Sequence, residues 1–414
     1  MLQRETLFAS LGGAAHRPAH RDTLRGACAN QAPARGSGAP IPSSGAWFPG
    51  DDPGPRQFAH IGALDLENGE HLPEVTICFE TYGTLAPTGD NAVLVLHGFS
   101  ADSHAARHAS NDSVGWWEGM VGPGCPIDTN RYFVVVPNAL GGCQGSTGPA
   151  SLAPDGEFWA ARFPRITTRD QVAAEIVMAH QLGVRSWALV TGPSMGGCRA
   201  LEWAIMGPDA GIEVRGLAPI GASPATPADV IAWAHPQLAA IRLDPGWHGG
   251  NYYGLPAGEG PHGGMAVARS IAHNTYRSAV EYGARFGRHA QGTEEPLVDG
   301  RYAVESYLDH HGDKLARRFD ANSYLTLTES INSHDVGRGR GGVEAALARI
   351  TARTMVVAVD TDRLFPAQES ARVAAFVPDA VGLRVIATPH GHDGFLIEFD
   401  QLGPMIAEFL TDIG

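Results

Sequence analysis

The chain alternates short, almost wholly apolar runs with longer stretches in which apolar positions return every three or four residues. The apolar runs are "EVTICFETYG" (74–83), "NAVLVLH" (91–97), "RYFVVVP" (131–137), "SWALVTG" (186–192), "VRGLAPIG" (214–221), "RTMVVAVD" (353–360) and "GLRVIAT" (382–388). Near-continuous apolarity over so few residues suits a strand covered on both faces. Such strands, separated by helical patterns, predict a mostly parallel sheet joined by crossover helices. One of these helices is "RDQVAAEIVMAHQLG", where Val172, Ala173, Ile176, Val177 and His180 follow a 3.6-residue period. Gly183 suits the left-handed residue that closes a helix.

The alternation stops after residue 221. Residues 226–341 carry helical patterns, aromatic side chains and many arginines, and strand signals return near Thr354. The expected organisation is an α/β core of residues 46–225 and 342–414, interrupted by a helical insertion at 226–341. Residues 1–45, rich in Ala, Gly, Pro and Arg and without periodicity, read as a disordered tail. The tail lacks the clear amphipathic helix of a transit peptide.

Composition narrows the function classes. No apolar run approaches the length of a bilayer span, so no membrane segment is expected. A formal net charge of −14 disfavours nucleic acid and anionic membranes as partners. Any polyanionic ligand must then be held by local Arg or Lys. The five cysteines are widely spaced without a C-x-x-C pair, which argues against a disulfide framework or a zinc site and fits a reducing cytoplasm. No metal is expected.

Chemistry enters at Gly192-Pro193-Ser194-Met195-Gly196, a G-x-S-x-G pattern between a predicted strand and a predicted helix. In that context the turn is so tight that glycine is needed on both sides, and the serine hydroxyl is pushed out above the sheet. The Met195 N–H, at the helix start, is placed to stabilise an oxyanion. The loop "LVLHGFSAD" after an early strand offers the Phe99 N–H as second donor; His97 in that loop reads as a shaper of the loop rather than a base. A hydroxyl becomes a nucleophile when a histidine takes its proton and a carboxylate steadies the imidazolium. Asp360 and Asp362 follow one late strand, and His390 and His392 follow the last. The order Ser, acid, His is the order of this arrangement, and spacing alone does not choose within either pair.

Several blocks together resemble the homoserine O-acetyltransferases, acyl-CoA-dependent enzymes of methionine biosynthesis with the α/β-hydrolase fold. They include "GWWEGMVGPGCPIDTNRYFVVVPNALGGCQGSTGPAS", "RFPRITTRDQV", "GPSMGGCRALEW", "AVARSIAHNTYRS", "YAVESYLDHHGDKLARRFDANSYL" and "GHDGFL", and the resemblance covers about residues 60–412. It implies an α/β-hydrolase core with a helical lid, Ser194 as nucleophile, Asp362 as acid and His392 as base. It further implies that Arg269, Tyr276 and Asp393 hold the amino-acid acceptor. Arg269 suits an α-carboxylate and Asp393 an α-ammonium. The implied substrates are acetyl-CoA, as co-substrate with no bound cofactor, and L-homoserine; the implied assembly is a homodimer through the insertion. Within this frame a succinyl donor, a serine acceptor or a plain serine hydrolase are the alternatives, and a non-catalytic binding member of the fold would be expected to have lost a triad residue.

Overall fold

The computed structural model describes residues 40–414. Strands β1 (Gln57–Asp65), β2 (His71–Tyr82), β3 (Ala92–Val95), β4 (Val121–Gly122), β5 (Ile127–Asp128), β6 (Phe133–Pro137), β7 (Ser186–Pro193), β8 (Glu213–Val214), β9 (Gly216–Ile220), β10 (Arg353–Val359) and β11 (Ala380–Ile386) are interleaved with eleven α-helices. The main sheet runs β1-β2-β6-β3-β7-β9-β10-β11, with β8 beside β7; β4 and β5 form a separate small ladder. The β1/β2 and β2/β6 pairs are antiparallel and the remaining pairs parallel.

The central strands are buried throughout, as their unbroken apolar runs predict. Strand parity sorts their side chains into two cores. Leu94, Leu96 and Val190 join one with helices α1 (Thr168–Gln181) and α2 (Met195–Asp209). Val93, Val95 and Leu189 join the other with Trp117 and with Leu402 and Ile406 of α11 (Phe399–Asp412). Helices α8 (Val343–Leu347), α9 (Ala367–Phe376) and α10 (Gly394–Ile397) complete the core.

Two local expectations need correction. The periodic pattern missed β1, an edge strand with one fully buried residue in nine and register shifts around Gly62. The buried face of α1 is also rotated: Ala173 and Val177 are half-exposed and His180 is exposed, whereas Gln171, Glu175, Met178 and Ala179 are buried. The cause is polar. Gln171 Nε2 donates to the Leu140 carbonyl (3.1 Å), and Glu175 pairs with Arg199 and accepts from Trp203 Nε1 (2.7 Å). Hydrophobic period cannot anticipate a face completed by polar groups that find partners elsewhere in the fold.

Helices α3 (Ala228–Leu243), α4 (His262–Tyr276), α5 (Ala279–Phe286), α6 (Ala303–Arg318) and α7 (Ala321–Asn332) form the insertion. Its neck is closed by backbone bonds from Thr226 N–H to the His334 carbonyl and from Val336 N–H to the Pro224 carbonyl, both 2.9 Å. Leu238, Met265, Leu315, Phe319 and Tyr324 of these helices and the loop between them pack with Met195, Ala139 and Cys143 of the core. Of the expected 1–45 tail, residues 1–39 lie outside the described residues; Ile41 and Gly45 instead bond to the insertion, at Gly258 and Phe319.

Candidate active site

Ser194 sits at the sharp turn between β7 and α2 with φ 57° and ψ −124°, a backbone conformation that non-glycine residues rarely adopt. The flanking glycines answer to a specific neighbour. A Cβ at Gly192 or at Gly196 would collide with the Leu96 carbonyl, the end of the adjacent strand. The turn therefore packs against that strand end while the Ser194 amide donates to Ile220 O (2.8 Å).

His392 arrives in a short turn after β11, and its Nε2 lies 2.8 Å from Ser194 Oγ. Its Nδ1 lies 2.6 Å from Asp362 Oδ2. With Nδ1–H donated to the carboxylate, Nε2 is left to accept the serine proton. Asp362 Oδ1 accepts from the Leu364 and Phe365 amides at 2.8 and 2.9 Å, which fixes the carboxylate. Gly391 lets His392 approach: a Cβ there would press on the Tyr276 carbonyl and the Ser278 amide at the α4–α5 junction. Burial alone would lower the His392 pKa; the charge and hydrogen bond of Asp362, helped by Asp393, outweigh it and raise the value.

The two open pairs are thereby separated in space. Asp360 is exposed and accepts from the Thr388 amide (3.0 Å), and His390 faces Glu281 at 3.4 Å. His97 is enclosed, with Nδ1 2.7 Å from the Gly98 carbonyl and Nε2 accepting from the Ala139 amide. Burial pushes its pKa down to about 3, so it stays neutral and shapes the loop. That loop abuts Ser194: a Cβ on Gly98 would be 3.9 Å from Ser194 Cβ. Phe99 follows it, and Met195 opens α2, where an amide N–H has no intrahelical partner.

Ser194 and His392 lie on the floor of a cavity of about 460 Å³ between core and insertion. Arg269 and Tyr276, both on α4, line it; the guanidinium carbon lies 5.2 Å from the tyrosine ring centre. Arg269 Nη1 is 3.5 Å from Ser100 Oγ, and the Tyr276 ring is 5.9 Å from that of His392. Asp393 lines the same cavity, with Oδ2 3.1 Å from Arg277 Nε. Lys314 and Arg318 on α6 and Trp233 on α3 also line it and were not singled out by motif. Their signal was faint: Lys314 is the chain's only lysine.

The arrangement can deprotonate a hydroxyl, stabilise an oxyanion and grip an anionic substrate under a roof. Among the described residues no cluster of His, Cys, Asp or Glu suits a metal ion, and no helix is long and apolar enough to cross a membrane. Residues 91–399 match the alpha/beta hydrolase fold family model. Homoserine O-acetyltransferase of Thermobifida fusca (strain YX) is 54% identical over 375 residues, covering 90% of this chain and 98% of that one. The solved structure of homoserine O-acetyltransferase from Bacillus anthracis is 27% identical with a TM-score of 0.78, covering 86% of this chain and 97% of its own. Esterase E22 is 26% identical with a TM-score of 0.77, covering 86% and 99%. Matching so closely over nearly its whole length, and holding Ser194, His392 and Asp362 in contact, the chain belongs to the homoserine O-acetyltransferase family of the α/β-hydrolase fold.

Proposed function

We propose that the chain transfers an acetyl group from acetyl-CoA to the γ-hydroxyl of L-homoserine through an acyl-serine, a step of methionine biosynthesis. The observation that carries this reading is the serine–imidazole–carboxylate contact at the base of a roofed cavity that also holds Arg269. His392 takes the Ser194 proton as Oγ attacks the thioester carbonyl, and the Phe99 and Met195 amides receive the developing oxyanion. The C–S bond then breaks and His392 returns the proton to the departing thiolate. In the second half His392 takes the proton of the homoserine hydroxyl, whose oxygen attacks the acyl carbon; the Ser194 Oγ–acyl bond breaks and Oγ regains the proton. Asp362 holds the imidazole in the required tautomer throughout.

The acceptor is read as lying between Arg269, which takes the α-carboxylate with Tyr276 stacked behind it, and Asp393, which takes the α-ammonium. Arg277 holds one edge of the Asp393 carboxylate. The helical insertion, residues 226–341 as read from the sequence, serves as the lid. It limits water and holds the acceptor hydroxyl at high effective concentration, which acyl transfer needs and hydrolysis does not. No resident cofactor is required, since acetyl-CoA enters as co-substrate. Exposed apolar side chains on the insertion, among them Leu243, Val267, Val280 and Leu297, support a homodimer through this region. A cytoplasmic setting fits the unpaired cysteines Cys78, Cys125, Cys143 and Cys198.

The likeness to esterase E22 keeps hydrolysis as the second reading. Thiol release from acetyl-CoA, followed as homoserine is titrated in, separates the two. Transfer gives one thiol per active site without homoserine and further release that depends on homoserine, with one O-acetylhomoserine per further thiol. Release indifferent to homoserine, with acetate as product, contradicts it. Mass spectrometry with acetyl- and succinyl-CoA and with homoserine and serine mixed in one reaction then identifies donor and acceptor.

A further inference from the structure

Many of the described arginines are paired with carboxylates. Arg169 and Arg340 share Glu202, Arg338 meets Glu67, Arg199 meets Glu175, and Arg277 meets Asp393. Three cations that share the active-site cavity are not paired in this way. Arg269, Lys314 and Arg318 have no carboxylate within 4.0 Å among the described residues. The chain has 44 acidic residues and a net charge of −14, so carboxylates are not scarce. Asp102 and Asp393 line the same cavity, and the Asp102 charge acts on Arg318; with no carboxylate in direct contact, the three cations still leave room for an anion.

The proposed acceptor carboxylate accounts for Arg269 alone. Lys314 and Arg318 lie four residues apart on α6, a spacing that puts them on one face of the helix. Arg318 Nη2 donates to the Ser100 carbonyl (2.6 Å), which steadies the guanidinium over the loop after β3. Depth separates them from the chemistry: Ser194 and His392 are 7% and 2% exposed, whereas Lys314 and Arg318 are exposed. A long ligand would therefore react at the floor and present its other end to these cations at the rim.

We propose that Lys314 and Arg318 form an anion-binding rim that takes the phosphate groups of the acyl-CoA donor while its pantetheine arm reaches Ser194. This rests on the transfer reading above. The plain alternative is that basic residues in the last turn of α6 only offset the helix dipole. That role has no need of CoA.

The test is CoA binding to the Ser194→Ala protein by calorimetry, with and without Lys314→Gln or Arg318→Gln. Each rim change is expected to weaken CoA roughly five- to twentyfold at low salt, the loss shrinking at high salt as screening grows. With pantetheine as probe the loss is expected to disappear, and 3′-dephospho-CoA shows which phosphate is held. Because Lys314 is the only lysine, an amine-reactive reagent on the otherwise unaltered protein gives a second readout: CoA is expected to protect it and homoserine is not. Equal CoA affinity in the rim variants overturns the proposal, as does a loss equal for CoA and pantetheine, or a change confined to homoserine. Should the wild-type protein release no thiol from acetyl-CoA, the transfer reading itself fails; thiol release with indifferent rim variants sinks the rim alone.

Discussion

Two sets of charges in this molecule behave oppositely. Behind the sheet, Glu175, Arg199 and Trp203 form a closed group with every charge answered, and Arg169, Glu202, Arg340, Glu67 and Arg338 bind α1, α2 and the segment after α7 together. Around the cavity, Arg269, Lys314 and Arg318 have no carboxylate partner among the described residues. The first set holds helices in place. On the reading proposed above the second is left for a substrate to complete, and the difference then separates charges that serve folding from charges that serve binding.

On the proposed mechanism the largest expected effect lies at Asp362, a paired charge set beside His392. Asp362→Asn keeps the shape but removes the charge and the tautomer control, and is expected to lower kcat by about 10⁴ with the fold retained. A pH profile sharpens this. On the proposed mechanism activity needs neutral His392, so its raised pKa is expected to put the acid limb of kcat/KM above the ordinary histidine value near 6.5. Without the Asp362 charge the limb of any residual activity is expected to move down; an unmoved limb would detach Asp362 from the base.

Next comes the closed group behind the sheet. Glu175→Ala leaves Arg199 buried without its partner and is expected to cost about 3–5 kcal/mol in urea unfolding, one of the largest stability losses available in the core. If stability changes by less than about 1 kcal/mol, the group does not have the structural role assigned to it.

Arg269→Gln is expected to do the reverse. It leaves unfolding nearly unchanged and raises KM for homoserine roughly ten- to a hundredfold, the worth of charge-assisted hydrogen bonds to a carboxylate. A variant that loses stability but binds homoserine normally would move Arg269 into the structural set. The smallest effect belongs to Asp209→Asn, whose partner Arg349 is likewise solvent-exposed; a change within about 1 kcal/mol, and none in activity, is expected.

What could be read in the sequence follows the same division. The central strands and the residues of the Ser194–His392–Asp362 contact were legible because each depends on local pattern: an apolar run, then a polar residue in the loop at its end. Edge strand β1 was not, because one face is wet and Gly62 interrupts its register. The face of α1 was misjudged because Gln171 and Glu175 are buried through partners more than twenty residues away. Asp360 and Asp362 could not be told apart by spacing, since the choice is made by the Leu364 and Phe365 amides that hold Asp362. The rim cations belong to a helix of the insertion and meet the cavity only once that helix is packed over the sheet. Nothing local marks them except that Lys314 has no other lysine for company.

The central claim is that a covalent acyl-serine forms and waits for an amino acid rather than for water. Intact-protein and peptide mass spectrometry after mixing with acetyl-CoA alone tests it most directly. The account predicts one added acetyl group on the peptide bearing Ser194, persisting in buffer and discharged on adding homoserine with O-acetylhomoserine as product. A protein that never carries the acetyl group, or one that loses it to water as fast as to homoserine, would contradict it.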